Sequence, residues 1–103
     1  MGYTVTEDYL NKGRFALRRT AGDSAVDGEI TDLINQCRMD LVRMGVAEDT
    51  AIDESNELVF GCVRSFLRWQ FGIDGIDADR NHAEYLELAD NLRKSQEKNQ
   101  EEN

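Results

Sequence analysis

FGCVRSFLRWQFGIDGIDADRNHAEYLELADNL, residues 60–92, reads as an apolar helix, a glycine stop at Gly72, a short acidic linker and a second amphipathic helix. In the first half, together with the residues just before it, Leu58, Val59, Cys62, Val63, Phe66, Leu67 and Phe71 cover more than half of the helical circumference. A helix that apolar belongs at the centre of a bundle. The second half presents Tyr85, Leu86, Ala89 and Leu92 at helical spacing, with Asp77 or Asp79 as the expected N-cap. The two-helix unit holds the single Trp of the chain and no catalytic constellation, so it is built for packing and contact.

Two further helices lie upstream. The first is expected to open with a capping box, Thr4 bonding the Glu7 amide while Glu7 reaches back, and to carry Tyr9, Leu10, Phe15 and Leu17 as apolar positions. Gly13 inside it weakens it by roughly 1 kcal/mol relative to Ala. After the linker GDSAVDG the next helix is expected from Asp27, with a stripe of Ile30, Leu33, Ile34, Cys37, Leu41 and Met44 and a C′ stop at Gly45. Arg38 and Arg43 fall toward its C-terminal end, where the dipole favours cations. Residues 46–56 read as an acidic connection, and the central helix is expected over 55–71. The fold class is therefore all-α, a small bundle of about four helices over residues 1–94, with a flexible acidic and polar tail over 95–103.

The 103 residues carry a formal net charge of −9 and no proline. Residues 1–20 hold a local excess of base, while 21–73 and 74–103 are both strongly acidic. Over most of its surface such a chain repels a polyanion, which argues against gripping nucleic acid. The exception is the basic patch of Arg14, Arg18 and Arg19, read as a solvated helix face or as a partner for acids on a neighbouring subunit. Arg64 and Arg68, four residues apart with Ser65 beside them, form a polar stripe on the central helix and complete the basic candidates for an interface. Trp69 stands at the border of the apolar stripe and admits two readings, a core residue or an anchor at a subunit interface.

Reactive chemistry is not indicated. His82 has no Ser or Cys nucleophile placed to use it and reads as an exposed residue near a helix start. Cys37, Cys62 and His82 lack zinc-site spacing, and both cysteines fall on apolar faces as small hydrophobes of a reduced protein. The acids Asp74, Asp77 and Asp79 fail the order of a calcium loop. The start, Met1 to Thr6, meets the loose myristoylation pattern, but bulky Tyr3 marks a chance match. Arg64 and Arg68 interrupt the longest apolar run, so no membrane span is expected. The expectation is a non-enzymatic protein without cofactor or metal.

The order of segments resembles the head–tail connector (adaptor) family of tailed double-stranded-DNA phages. The resemblance runs from Phe15-Ala16-Leu17-Arg18 through Asp27-Gly28-Glu29-Ile30-Thr31-Asp32-Leu33-Ile34, Cys37-Arg38-Met39-Asp40-Leu41 and Met44-Gly45-Val46. It is strongest at Phe66-Leu67-Arg68-Trp69-Gln70-Phe71-Gly72, the Asp-containing linker and the helix with Tyr85 and Leu86, and it spans residues 4–94. Gly13 and the Ile76-Asp77 pair, where a proline-containing helix start is expected, depart from it. The resemblance implies a helical subunit that forms a ring beneath the portal protein and receives a stopper or tail-completion protein, with DNA passing through the lumen. It places the chain in the virion at the head–tail junction, and in the host cytoplasm during assembly. It also makes the tail from Lys94 a candidate portal contact. Two alternatives stand beside it: a small acidic regulatory or DNA-mimic protein that binds a basic partner, and an enzyme of unrecognised type.

Overall fold

The computed structural model describes residues 3–18, 24–71 and 78–102, with the side chains described through 95. Among the described residues there are five helices and no strand: α1 (Glu7–Ala16), α2 (Ser24–Arg43), α3 (Glu48–Ala51), α4 (Glu57–Phe71) and α5 (Ala78–Glu102). The all-α small bundle expected from the sequence is what forms, with one added short helix in the connection before α4.

α4 is the central element, packed most extensively against α5 and crossed by α2 and α1. Its Val59, Cys62, Val63, Phe66 and Leu67 are buried together with Ile30, Ile34, Cys37 and Leu41 of α2 and Tyr85, Ala89 and Leu92 of α5. Phe66 makes an edge-on contact with Tyr85 at 5.1 Å between ring centroids. The Ser65 hydroxyl donates to Glu84 at 3.0 Å, so Ser65, beside the Arg64 and Arg68 stripe, ties α4 to α5. Tyr85 donates its hydroxyl to Asp40 at 2.6 Å and ties α5 back to α2.

Helix ends follow from local chemistry. α2 stops in a Schellman turn: the Val46 amide donates to Leu41 O and the Gly45 amide to Val42 O. Gly45 takes φ 112°, in the left-handed region that glycine occupies without strain. α1 is capped by Thr6 rather than Thr4, its hydroxyl accepting from the Tyr9 amide at 3.2 Å. The capping-box partner Glu7 instead receives a bond from Arg14. α4 is capped by Asn56, whose side-chain oxygen accepts from the Leu58 and Val59 amides. α2 begins at Ser24, about one turn before the expected Asp27, and that turn sets Asp27 against Arg14. The helical backbone of α5 continues through Glu102, where a flexible tail was expected after residue 94. The tail sequence has no Gly or Pro to stop a helix, and its Gln, Glu and Lys residues are good helix formers. Gly72 and Asp77, expected to stop and start helices, lie outside the described residues.

Two features seat α1. Gly13 is the point of closest approach: a Cβ there would stand 3.1 Å from Ile30 Cγ2 and 3.4 Å from Leu67 Cδ1. The glycine that weakens the isolated helix thus lets α1 lie directly on α2 and α4. The second is Arg38, only 1% exposed. Its guanidinium donates to Thr4 O at 3.2 Å, to Asn35 Oδ1 at 3.3 Å and to Glu54 Oε2 at 3.2 Å. Glu54 in turn accepts from the Thr6 amide at 3.1 Å and from the Thr6 hydroxyl. Arg38 lies in the C-terminal half of α2, as expected, and there it is the buried clasp that joins α2, the start of α1 and the α3–α4 corner.

Gly13→Val is expected to lower stability by about 2 kcal/mol, because overpacking at a closed contact outweighs any gain in helix propensity; chemical denaturation measures it. Acid should act through the carboxyls. Partial burial pushes Glu54 up, but its bonds from Thr6 and Arg38 outweigh that and hold it below the usual range. The bonds from Arg14 hold Asp27 low as well. Lowered folded-state pKa values contribute stability that is present above the ordinary carboxyl pKa of about 4 and is lost as pH falls through the folded value. The thermal midpoint should therefore decline below about pH 4, and far less in a Glu54→Gln, Asp27→Asn double variant whose midpoint at neutral pH is already reduced.

Candidate functional site

Laying α1 along α4 leaves an open cleft of about 410 Å³ lined by Asn11, Lys12, Phe15, Ala16, Arg18, Phe60, Arg64 and Arg68. Phe60, Arg64 and Arg68 recur every four residues on α4, which puts them on one face of that helix. Asn11 and Phe15, four residues apart, share a face of α1, and Arg18 follows just beyond its end. Four cations thus meet around two phenyl rings, and the lining contains no carboxylate. Lys12 Nζ stands over the Phe60 ring, 4.2 Å from its centroid, a cation–π contact that holds the charge against the aromatic floor of the cleft.

Phe15 is 84% exposed, the most exposed of the large hydrophobic residues. It was expected among the apolar positions that bury α1, but Tyr9 and Leu17 take the core side and Phe15 is turned outward. Arg18 closes the rim with φ 57°, a left-handed conformation that costs a non-glycine residue roughly 1 kcal/mol. Its amide donates to Phe15 O at 3.0 Å, which ends the helix and sets Arg18 beside the cleft.

The residues singled out in the sequence divide cleanly. Arg18, Arg64 and Arg68 come together in the cleft. Arg14 does not: it is 4% exposed, with Nε 2.8 Å from Asp27 Oδ1 and Nη1 3.0 Å from Glu7 Oε1. It pairs with acids of its own chain, which raises its pKa and removes it as a free interface cation. Arg19 lies outside the described residues. Lys94 is exposed on α5 and pairs with Asp90 at 2.9 Å within the helix. Trp69 is half-buried, 5.5 Å from Phe66 and stacked face to face on His82 at 3.9 Å. His82 is thus a half-buried packing partner rather than an exposed cap, and Trp69 is partly buried against the core. Lys12, Phe15 and Phe60 were missed as site residues. Their signal was the four-residue spacing Asn11–Phe15 set against Phe60–Arg64–Arg68, which becomes a cleft only once α1 and α4 are known to be adjacent.

Cys37 and Cys62 are free and buried, and burial pushes the Cys62 thiol up to about 11 and that of Cys37 well above its usual value. Neither is poised as a nucleophile at neutral pH. Among the described residues no group of His, Cys, Asp or Glu is placed to hold a metal ion. Among them, too, no helix is long and apolar enough to cross a membrane. In comparisons with known proteins, no family model, no curated protein and no solved structure matches this chain.

The cleft cations should be dispensable for folding, unlike Arg14. Arg64→Ala and Arg68→Ala are expected to change stability by no more than about 0.5 kcal/mol, the usual range for surface sites. Arg14→Ala, which strands Asp27 beside the core, should lower the thermal midpoint clearly; one set of melting curves compares all three.

Proposed function

We propose that this chain is a non-enzymatic structural subunit of a virion, a head–tail connector (adaptor) that forms a ring between the portal and a stopper or tail-completion protein. The observation that carries the reading is the cleft: exposed Phe15 ringed by Lys12, Arg18, Arg64 and Arg68 on a chain of net charge −9. An exposed aromatic bordered by arginines is the composition of a protein-contact surface, where aromatic and Arg residues concentrate binding energy. Its position beside an all-α core suits a scaffold whose partners supply the opposite surface. The order of segments over residues 4–94, which resembles the connector family, supplies the identity of those partners.

The acid excess supports the same reading. A lumen bordered by carboxylates would let the genome slide past without being held, since phosphate contacts need cations. α5, with its helical backbone extending to Glu102, offers an elongated element for the portal. The alternative of a DNA mimic calls for acids lining one continuous face against a basic partner. The gathering of four cations in one cleft favours the connector over it.

Co-sedimentation with the portal protein of the same genome tests the proposal. The chain is expected to pellet with assembled portal in saturable, salt-sensitive fashion. Absence of binding at micromolar concentrations of both proteins, with the helical spectrum intact, sinks it.

A further inference from the structure

The cleft has a chemical complement on the opposite sign of the same molecule. Between Arg43 and Arg64 the chain carries five acids, Glu48, Asp49, Asp53, Glu54 and Glu57, and no Lys or Arg. Glu54 is spent on Arg38, while Glu48, Asp49, Asp53 and Glu57 are exposed around the α3–α4 corner. Beside them Leu58 is 61% exposed, second only to Phe15 among the large hydrophobics. Each surface therefore pairs an uncovered apolar side chain with charge of one sign. Phe15 sits among cations and Leu58 among anions.

Leu58 and Phe60 are two residues apart on α4, so they point about 200° apart around the helix axis. The acidic corner of a molecule cannot fold over its own cleft, and the complement must come from elsewhere. We infer that the cleft of one copy receives the α3–α4 corner of a second copy, Leu58 covering Phe15 while carboxylates meet Arg64 and Arg68. The inference rests on the reading of the chain as an assembly subunit. The contact uses two different patches and is therefore heterologous: it propagates head to tail and closes into a ring when the rotation per step allows.

The cleft suits a short acidic element better than an extended polyanion. From Phe60 to Arg68 the α4 stripe is about 12 Å long. Toward the N-terminal ends of α1 and α4 it is succeeded by exposed Glu7, Asp8 and Glu57. A nucleic acid strand laid along the cleft would run into these carboxylates, whereas a leucine flanked by acids occupies only the basic part.

The test is obligate pairing of two charge-swapped variants, read by sedimentation velocity with circular dichroism as the check on folding. One variant carries Arg64→Glu and Arg68→Glu and keeps an intact acidic corner. The other carries Asp49→Lys and Glu57→Lys and keeps an intact cleft. Wild type should associate with rising concentration at low salt, and weakly at high salt. Each variant alone should stay monomeric, and their mixture should associate at least tenfold more tightly than either variant with itself, in alternating order, because the reversed cleft of the first also complements the reversed corner of the second. Phe15→Ser in the second variant should weaken that mixed association at least tenfold.

Either folded variant assembling as wild type does would overturn the inference. So would a wild type that stays monomeric, or one that binds a short oligothymidylate through Arg64 and Arg68 in place of a second copy. A monomer that still co-sediments with portal fails this inference alone; a chain that assembles but never binds portal fails the connector reading alone.

Discussion

Arg38 carries a full charge into the interior, where leaving water costs several kcal/mol and is repaid only by well-placed partners. Those partners come from three separate stretches: Asn35 on its own helix, the Thr4 carbonyl before α1, and Glu54 in the α3–α4 corner. Its guanidinium also lies 5.3 Å from the Tyr9 ring, and its Nε has no hydrogen-bond partner. An arrangement that misplaces any one stretch strands the charge, so the clasp penalises alternative packings more than it stabilises the correct one. Glu54 links this choice to the cap of α1, because the same carboxylate holds Thr6. Position of the chain start, register of α1 and geometry of the corner are thus one decision.

That decision makes the surface. With the N-terminus of α1 pinned near the corner and Gly13 admitting close contact, α1 must run along α4. Arg14 then falls against Asp27 and is consumed internally. Phe15, the next residue, is rotated about 100° away and left in solvent. The two neighbouring residues have opposite fates for one geometrical reason, and exposed Phe15 is a by-product of burying Arg14 that the cleft then uses. The corner that Glu54 anchors is also where the remaining acids and Leu58 are presented. Both charged surfaces are therefore tied to the same buried pair.

The elements that could be read without the fold are those encoded by local rules. The stripes of α2 and α4, the Gly45 stop and the burial of both cysteines depend on spacing and on one residue's backbone freedom, and each is where the pattern put it apart from Leu58, which opens the α4 stripe but is 61% exposed. Arg38 and Arg14 were illegible because helical periodicity counts arginine as polar, while their burial depends on carboxylates 16 and 13 residues away. Thr6 displaced Thr4 as cap because Glu54, 48 residues distant, grips it. Trp69 could not be assigned from its helix because its stacking partner, His82, belongs to the next one. The candidate site shows the same division: Arg18, Arg64 and Arg68 were visible as charges, but the phenyl groups that turn them into a cleft needed the adjacency of α1 and α4.

In the proposed contact, charge segregation is what would let a molecule of net charge −9 meet a second copy. At physiological ionic strength the screening length is about 8 Å, shorter than the separation of distant faces, so each patch responds to what lies directly against it and not to the total. A cleft of four cations would then see the acidic corner of a neighbour, while the remaining carboxylates would be screened from it. The apolar pair supplies what screened charges cannot. Covering Phe15 and Leu58 would remove from water the two most exposed large hydrophobic side chains among the described residues. In the proposed contact charge would select the orientation and apolar cover supply the holding energy, a division that would suit addition in one direction only.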